Sequence, residues 1–235
     1  MQPVEPLGLP AVAGGWVERT WQISSHEFRL VLPASPDALL EDPEVIAAHE
    51  RDEYMPYWAY LWPASVYMAQ AVLETAWSPG CAALELGAGV GLVGLAGLKA
   101  GLSVTFSDYD ATSVDLCLYN ARRLGYPGAQ GEVLDWRQPQ GPTYPVIFGC
   151  ELLYEDRNHE LLIQVLNARL ARDGVAWFGD GGRVRAERFC QLLPTHGYRF
   201  ELLDEHQRPL PQLRAGRYQL IKVWRELSEG QRAKS

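Results

Sequence analysis

Residues Leu84-Glu85-Leu86-Gly87-Ala88-Gly89-Val90-Gly91 carry an apolar stretch into three alternating glycines. Glycine is required where backbone must approach a ligand closely or adopt positive φ, and a helix opening at such a turn offers free N–H groups. Alone, the triplet also fits a tight strand-to-helix turn. Asp108 narrows the chemistry. It closes Val104-Thr-Phe-Ser-Asp108, and a carboxylate about 20 residues past such glycines, at the carboxyl end of the next strand, reaches the two hydroxyls of a nucleotide ribose. Asp110, ahead of Ala111-Thr112, is better placed to cap the following helix, which leaves Asp108 for a ligand. Together these features indicate a nucleoside-containing cofactor.

NAD and S-adenosylmethionine both remain open at this point, because Gly89-Val-Gly91-Leu-Val-Gly94 also satisfies the dinucleotide pattern. Glu85 discriminates. A carboxylate two positions before the first glycine is costly in the apolar strand of a dinucleotide site but suits a ligand with an ammonium group. No diphosphate-specific feature is visible, so S-adenosylmethionine is favoured. A second acidic candidate, Glu151, ends the apolar run from Val146, with Tyr154 three residues later. If that strand lies beside the first, Glu151 reaches the same ligand-binding edge.

The elements that must position these residues follow from hydrophobic period. Strands are expected over 81–86, 103–107, 131–136, 146–151 and 175–179, alternating with helices over 91–100, 112–124 and 160–170. Such alternation implies right-handed βαβ units and a parallel sheet covered on both faces. A further helix over 184–193 precedes strands at 198–204 and 217–224, which have no room for a helix between them and should pair antiparallel at the sheet edge. Ahead of this lie a hairpin, Val17–Ile23 with Glu27–Leu32, an acidic stretch 36–53, and an aromatic cluster leading to a helix from Pro63 to Trp77. The expected fold is α/β, a doubly wound, mostly parallel seven-stranded sheet with an antiparallel edge strand and an N-terminal β-hairpin extension. Its expected divisions are 1–56 for the extension, 57–226 for the cofactor-binding domain and 227–235 for a polar tail.

Composition excludes other classes. In 235 residues, Lys and Arg total 21 against 29 Asp and Glu, a net charge of -8 that disfavours a phosphate-driven grip on nucleic acid. No apolar run approaches the roughly 20 residues of a membrane span. The four cysteines, scattered without a Cys-x-x-Cys pair, read as reduced core thiols of a cytoplasmic protein, and no metal site is expected. Trp58 and Trp62, four apart, would share one face of a helix, where aromatics commonly serve burial. His159 and His196 read as ordinary helix residues, and Glu50–Glu53 as a solvated face.

Glu85-Leu-Gly-Ala-Gly-Val-Gly91 resembles motif I of the class I (seven-β-strand) methyltransferases. Trp58-Ala-Tyr-Leu-Trp62-Pro63-Ala64-Ser65 resembles the segment preceding motif I in the protein-lysine methyltransferase group of methyltransferase-like proteins. Leu134-Asp135-Trp136 is similar to that group's Asp-Trp after the third strand, and Glu151-Leu-Leu-Tyr154 to its Asp-x-x-Tyr after the fourth. The resemblance covers roughly 57–179, with Glu151 standing in place of Asp and Ser65 where glycine is common. It implies that Gly87, Gly89 and Gly91 wrap the methionine moiety of S-adenosylmethionine, that Glu85 faces its amino group, and that Asp108 holds the ribose. Asp135 and Trp136 would border the adenine, and Trp62 would lie near the methionine end. Glu151 and Tyr154 become the catalytic candidates, orienting an acceptor amine and accepting its proton. The expected partner is a protein or small-molecule methyl acceptor, a protein lysine first, with neither nucleic acid nor membrane; an NAD-dependent oxidoreductase and a catalytically silent cofactor-binding module are the other classes considered.

Overall fold

The computed structural model describes residues 2–226; the expected polar tail, 227–235, lies outside the described residues. The chain opens with an antiparallel sheet of β1 (Gln2–Val4), β2 (Trp16–Ile23) and β3 (His26–Pro33) in that order. The expected hairpin is its β2–β3 pair, and β1, too short for an alternation to register, adds a third strand. The stretch read only as acidic forms a 3-10 turn, Pro36–Glu41, and helix α1 (Pro43–Asp52). Pro43 suits the first helical position, and Asp42 caps the helix by accepting the Glu44 N–H at 2.8 Å.

Trp58 and Trp62 do not share a helix face. A single 3-10 turn, Tyr57–Ala59, carries Trp58, and Pro63 opens α2 (Pro63–Glu74) with Trp62 just outside it. α2 stops short of the expected Trp77: Thr75 turns extended, at φ -93° and ψ 134°, and Ser78 before Pro79 is biased against helix.

From here strand and helix alternate as β4 (Ala82–Leu86), α3 (Leu92–Lys99), β5 (Ser103–Asp108), α4 (Ala111–Arg123), β6 (Gln130–Val133) and β7 (Tyr144–Cys150). They continue as α5 (Asp156–Arg169), β8 (Leu170–Asp180), α6 (Ala186–Thr195), β9 (Tyr198–Leu203) and β10 (Gln219–Arg225). The seven-stranded sheet has the order β6-β5-β4-β7-β8-β10-β9, parallel through β8, with β10 antiparallel to both neighbours. The chain leaves β4 toward β5 and β6 on one side and returns to β7 and β8 on the other, so the crevice between β4 and β7 is the switch point where open α/β sheets bind ligands. The strand expected over 131–136 is shorter than that. β6 ends at Val133, and Leu134-Asp135-Trp136 leave the sheet as the Leu134 N–H bonds the Asp108 carbonyl at 2.8 Å.

Two cores sandwich the sheet. Ala83, Phe106 and Phe148 pack toward α2, α3 and α4, and Leu84, Leu86 and Ile147 toward α5 and α6. Because side chains alternate along a strand, Glu85 shares the face of Ala83 and lies against α3. The N-terminal sheet is fastened to the same layer by fully buried Asn120 of α4. Its Oδ1 accepts the Val31 N–H and its Nδ2 donates to the Val31 carbonyl, both at 2.9 Å. His159, expected to be an ordinary helix residue, is also fully buried, and burial holds its imidazole pKa below the usual range. No described helix is long and apolar enough to cross a membrane.

Replacing Asn120 by Ala strands two buried backbone groups at roughly 1–3 kcal/mol each. Asn120→Ala should therefore lower the unfolding free energy by about 2–5 kcal/mol in urea titrations followed by tryptophan fluorescence, and a change below about 1 kcal/mol would contradict the clasp.

Candidate functional site

The carboxyl ends of β4, β5 and β7 open into a cleft of about 460 Å³ at the switch point, within the usual range for a small-molecule site. Gly87, Gly89 and Gly91 hold φ of 55°, 55° and 81°, conformations that L residues with side chains rarely adopt. Gly89 is gripped from three directions. Its N–H donates to Asp108 Oδ2 at 2.9 Å, its carbonyl accepts from Ser113 Oγ at 2.9 Å, and an added side-chain carbon would stand 3.2 Å from the Trp58 carbonyl oxygen. Gly91 does not line the cleft; a side-chain carbon there would lie 2.8 Å from Cys117 Sγ, so its smallness serves packing of α3 on α4.

Glu85 lies beneath this turn, almost fully buried, and its Oε2 accepts the Gly94 N–H at 2.9 Å. Burial pushes its carboxyl up to about 8, against the backbone donors Gly94 and Val93 and helped by the nearby Asp108 charge. With no cationic partner among the described residues, a buried acid at the floor of a cleft has the chemistry to suit a cationic ligand.

On the β5 side, Asp108 is buried and its Oδ1 accepts the Asp110 N–H at 3.0 Å, so its two oxygens brace two successive turns; burial raises its pKa. Asp110 caps α4, as the sequence indicates, accepting the Thr112 N–H at 2.7 Å. It also accepts the hydroxyl of Tyr54, whose ring lies 6.5 Å from that of Tyr109. Asp135 is partly exposed and paired with Arg137 at 2.7 Å, and the side-chain hydrogen bond from that guanidinium holds its pKa below the usual carboxylate range. Trp136 lines the same side of the cleft.

On the β7 side lie Trp62, Glu151 and Tyr154. Trp62 is fixed by its indole N–H, which donates to the Tyr57 carbonyl at 3.1 Å, and Tyr154 meets Tyr57 edge to face at 5.4 Å. Burial pushes the Tyr154 phenol up to about 12, so it acts as a neutral hydroxyl. Glu151 is buried and left-handed at φ 60°, a strain that side-chain-bearing residues keep where surrounding structure enforces it. Glu151, expected from the sequence to orient an acceptor amine and take its proton, is ion-paired with Arg183, a residue that the sequence did not single out. The available signal was Asp180-Gly-Gly-Arg183, a glycine turn after a strand expected to end at the same edge.

The ten sequence-predicted site residues thus meet at one cleft, with Gly91 just behind its wall. Among the lining residues are eight carboxylates and three arginines, a field suited to a cationic ligand and a basic acceptor. Among the described residues no group of His, Cys, Asp or Glu is arranged to hold a metal ion. Trp58 also borders the cleft but is mainly a core residue, its ring tilted 6.5 Å from that of Trp16.

The chain is similar to known methyltransferases. The rat (Rattus norvegicus) histone-arginine methyltransferase METTL23 is 27% identical over 141 residues, 57% of this chain and 63% of that protein, so the match spans under two thirds of its length. The zebrafish (Danio rerio) protein N-lysine methyltransferase METTL21A is 28% identical over 192 residues, 75% of this chain and 86% of that one. In fold the chain is similar to a TehB-like SAM-dependent methyltransferase from Corynebacterium glutamicum, with a TM-score of 0.57 at 20% identity over 82% of this chain and 99% of that one. A family model described as lysine methyltransferase matches residues 45–192. That span is more than half of the sequence, runs from α1 into α6 and contains every candidate residue from Trp62 to Arg183, and the chain belongs to this lysine methyltransferase family, whose methyl donor is S-adenosylmethionine.

Proposed function

We propose that the protein transfers a methyl group from S-adenosylmethionine to a side-chain nitrogen of another protein, a lysine first. The carrying observation is the division of one cleft: the ribose-type carboxylate Asp108 on the β5 side, the glycine turn over Glu85 in the middle, and Glu151 with two aromatic rings on the β7 side. A nucleoside held at β5 with its amino-acid end at β4 leaves the β7 side for an acceptor. The relatives named for lysine and arginine methylation favour a protein nitrogen, and the acidic lining favours a basic one. We place the protein in the cytoplasm on its four free cysteines, and read 57–226 as the catalytic domain with 1–56 as an extension.

The lining fits the cofactor. Glu85 would take its ammonium, Gly87 and Gly89 would let its methionine end lie against backbone, Asp108 would accept the ribose hydroxyls, and Asp135 with Trp136 would border the adenine. When bound, S-adenosylmethionine supplies an electrophilic methyl on a sulfonium. The chain's own work is to hold an acceptor nitrogen in line, about 3–3.5 Å away, and to exclude water. Trp62 and Tyr154 wall the slot. Glu151 would accept a hydrogen bond from the acceptor N–H, and an amine with an ordinary pKa near 10 must first give up its proton, to Glu151 directly or through water, before its lone pair can attack.

The reading is tested by calorimetry with S-adenosylmethionine and its demethylated product, S-adenosylhomocysteine, and by tritium transfer to a proteome extract separated into protein and small-molecule fractions. Label in protein hydrolysed to methylated lysine supports it; label confined to small molecules overturns the protein acceptor, and failure to bind either ligand overturns the cofactor. Asp108→Asn removes the charge behind the ribose hydrogen bonds and should weaken S-adenosylhomocysteine about tenfold per folded molecule.

Glu85 gives the binding a definite pH dependence. In the free protein its carboxyl, at about 8, is mostly protonated at pH 7, and an ammonium beside it lowers that pKa. Binding therefore releases protons below pH 8, and affinity rises with pH between about 6 and 8, by up to tenfold per unit. Calorimetry in two buffers of different ionisation enthalpy at pH 7 should show this release, and Glu85→Gln should abolish it.

Glu151→Gln keeps size but loses charge and should reduce turnover by about 10²–10⁴, with S-adenosylhomocysteine affinity little changed; Tyr154→Phe should show a milder loss. A loss of affinity instead would move Glu151 into the cofactor site.

A further inference from the structure

We propose that Arg183 is the positioning residue for Glu151: it captures one carboxylate oxygen, Oε2, and so presents the other, Oε1, to an N–H of the side chain being methylated. This rests on the reading of the β7 side as the acceptor slot. Both donors of the guanidinium that reach Glu151 go to the same atom, Nε at 2.9 Å and Nη2 at 2.6 Å from Oε2. Among the described residues Oε1 accepts no hydrogen bond. A two-oxygen fork, the common arrangement of arginine on a carboxylate, would have occupied both atoms.

The turn that carries Arg183 is built to keep it there. Fully buried Asp180, the last residue of β8, accepts the N–H groups of Gly182 and Arg183 on its Oδ1, both at 2.8 Å, and Gln219 of β10 donates to the same oxygen at 3.2 Å. The backbone of Arg183 is thereby tied to the sheet rather than to a free loop. Glycine at 181 leaves Oε1 its space, since a side-chain carbon there would stand 3.1 Å from it. The guanidinium also lies 5.7 Å from the Trp62 ring centroid and 5.8 Å from that of Tyr154. These cation–π contacts restrict its swing and join it to the same two aromatic walls. Glu151 itself is buried with a left-handed backbone, so its carboxylate is set by what grips it rather than by solvent.

The test uses the full chain in four variants, Arg183→Met, Arg183→Lys, Glu151→Gln and the double Arg183→Met/Glu151→Gln. The readouts are initial rates of tritium transfer from S-adenosylmethionine to a proteome extract, S-adenosylhomocysteine affinity by calorimetry, and thermal unfolding. Arg183→Met should slow transfer about 10²-fold, the size of loss that a mispositioned group produces, with affinity within about threefold of the parent. Arg183→Lys should recover part of the rate, because an ammonium restores the charge but only as a point contact. The double variant should be no slower than Glu151→Gln alone, since a residue acting through another contributes nothing once that other is gone. Full transfer by Arg183→Met, or losses that multiply in the double variant, would overturn the proposal. If the parent binds S-adenosylhomocysteine yet labels nothing, the acceptor reading fails separately, and unfolding decides the pair. Glu151→Gln should then restore the melting temperature lost in Arg183→Met, and no such recovery would overturn the coupling.

Discussion

The hydrogen bond from the Gly89 N–H to the Asp108 carboxylate joins the turns that end β4 and β5, and the cleft depends on it. Parallel strands bring their carboxyl ends to one edge, but the loops that leave that edge are free to diverge unless something ties them. Asp108 does this with two oxygens, one on each turn, while Ser113 holds Gly89 from the opposite side. The same carboxylate is the one proposed above to meet a ribose. A group that is already buried and aimed loses little freedom when a ligand arrives, which is the physical content of preorganisation. The cost is a partly desolvated carboxylate, visible in its raised pKa.

The two sides of the cleft handle buried charge in opposite ways. Among the described residues Glu85 has no cationic partner and takes only backbone donors, so its burial pushes it toward the neutral acid. Glu151 is given a cation by the fold itself. Breaking such a pair by deleting one partner is far more disruptive than never having built it. That asymmetry fits the division of labour proposed above: the cofactor brings its own positive charge to Glu85, whereas the acceptor nitrogen has to react as a neutral amine and is better served by a carboxylate whose charge is already matched.

Much of this was legible in the sequence because it is local. The apolar run into alternating glycines, the aspartate closing the next strand and the cap at Asp110 each occupy a few adjacent residues, and each appears where its spacing says. Alternating periods likewise imply the sheet and its helices to within a few residues at most ends. What escaped is what folding brings together. Arg183 meets Glu151 across 32 residues and Asn120 meets Val31 across 89, and hydrophobic period carries no record of such pairs. The helix face considered for Trp58 and Trp62 is absent for a different reason. Four-residue spacing is evidence for a shared face only if the segment is helical, and the residues ahead of Pro63 make one 3-10 turn instead. β6 ends at Val133, where its one partner strand, β5, ends at Asp108, and hydrophobic period does not record where a partner stops.

The N-terminal extension then takes on a role that its sequence did not suggest. β2 and β3 bury Trp16, Val31 and Leu32 in a small core with Trp58, and Asn120 locks β3 to α4, the helix that also carries Ser113 and so holds Gly89. Between the extension and α2 runs the segment Tyr54–Trp62. Its members reach the cleft from above: Tyr54 through Asp110, Trp58 through the close approach of its carbonyl to Gly89, Trp62 through the ring beneath Arg183. That segment is anchored in its middle by the small core, through Trp58 and Ala59, and at its end by α2, so its aromatic groups are held by packing rather than by the loop's own preferences. The β7 and β5 sides of the cleft are therefore braced by the same N-terminal sheet. Loosening the β3–α4 clasp would be felt at Trp62 and at Gly89 together, although neither residue touches Asn120.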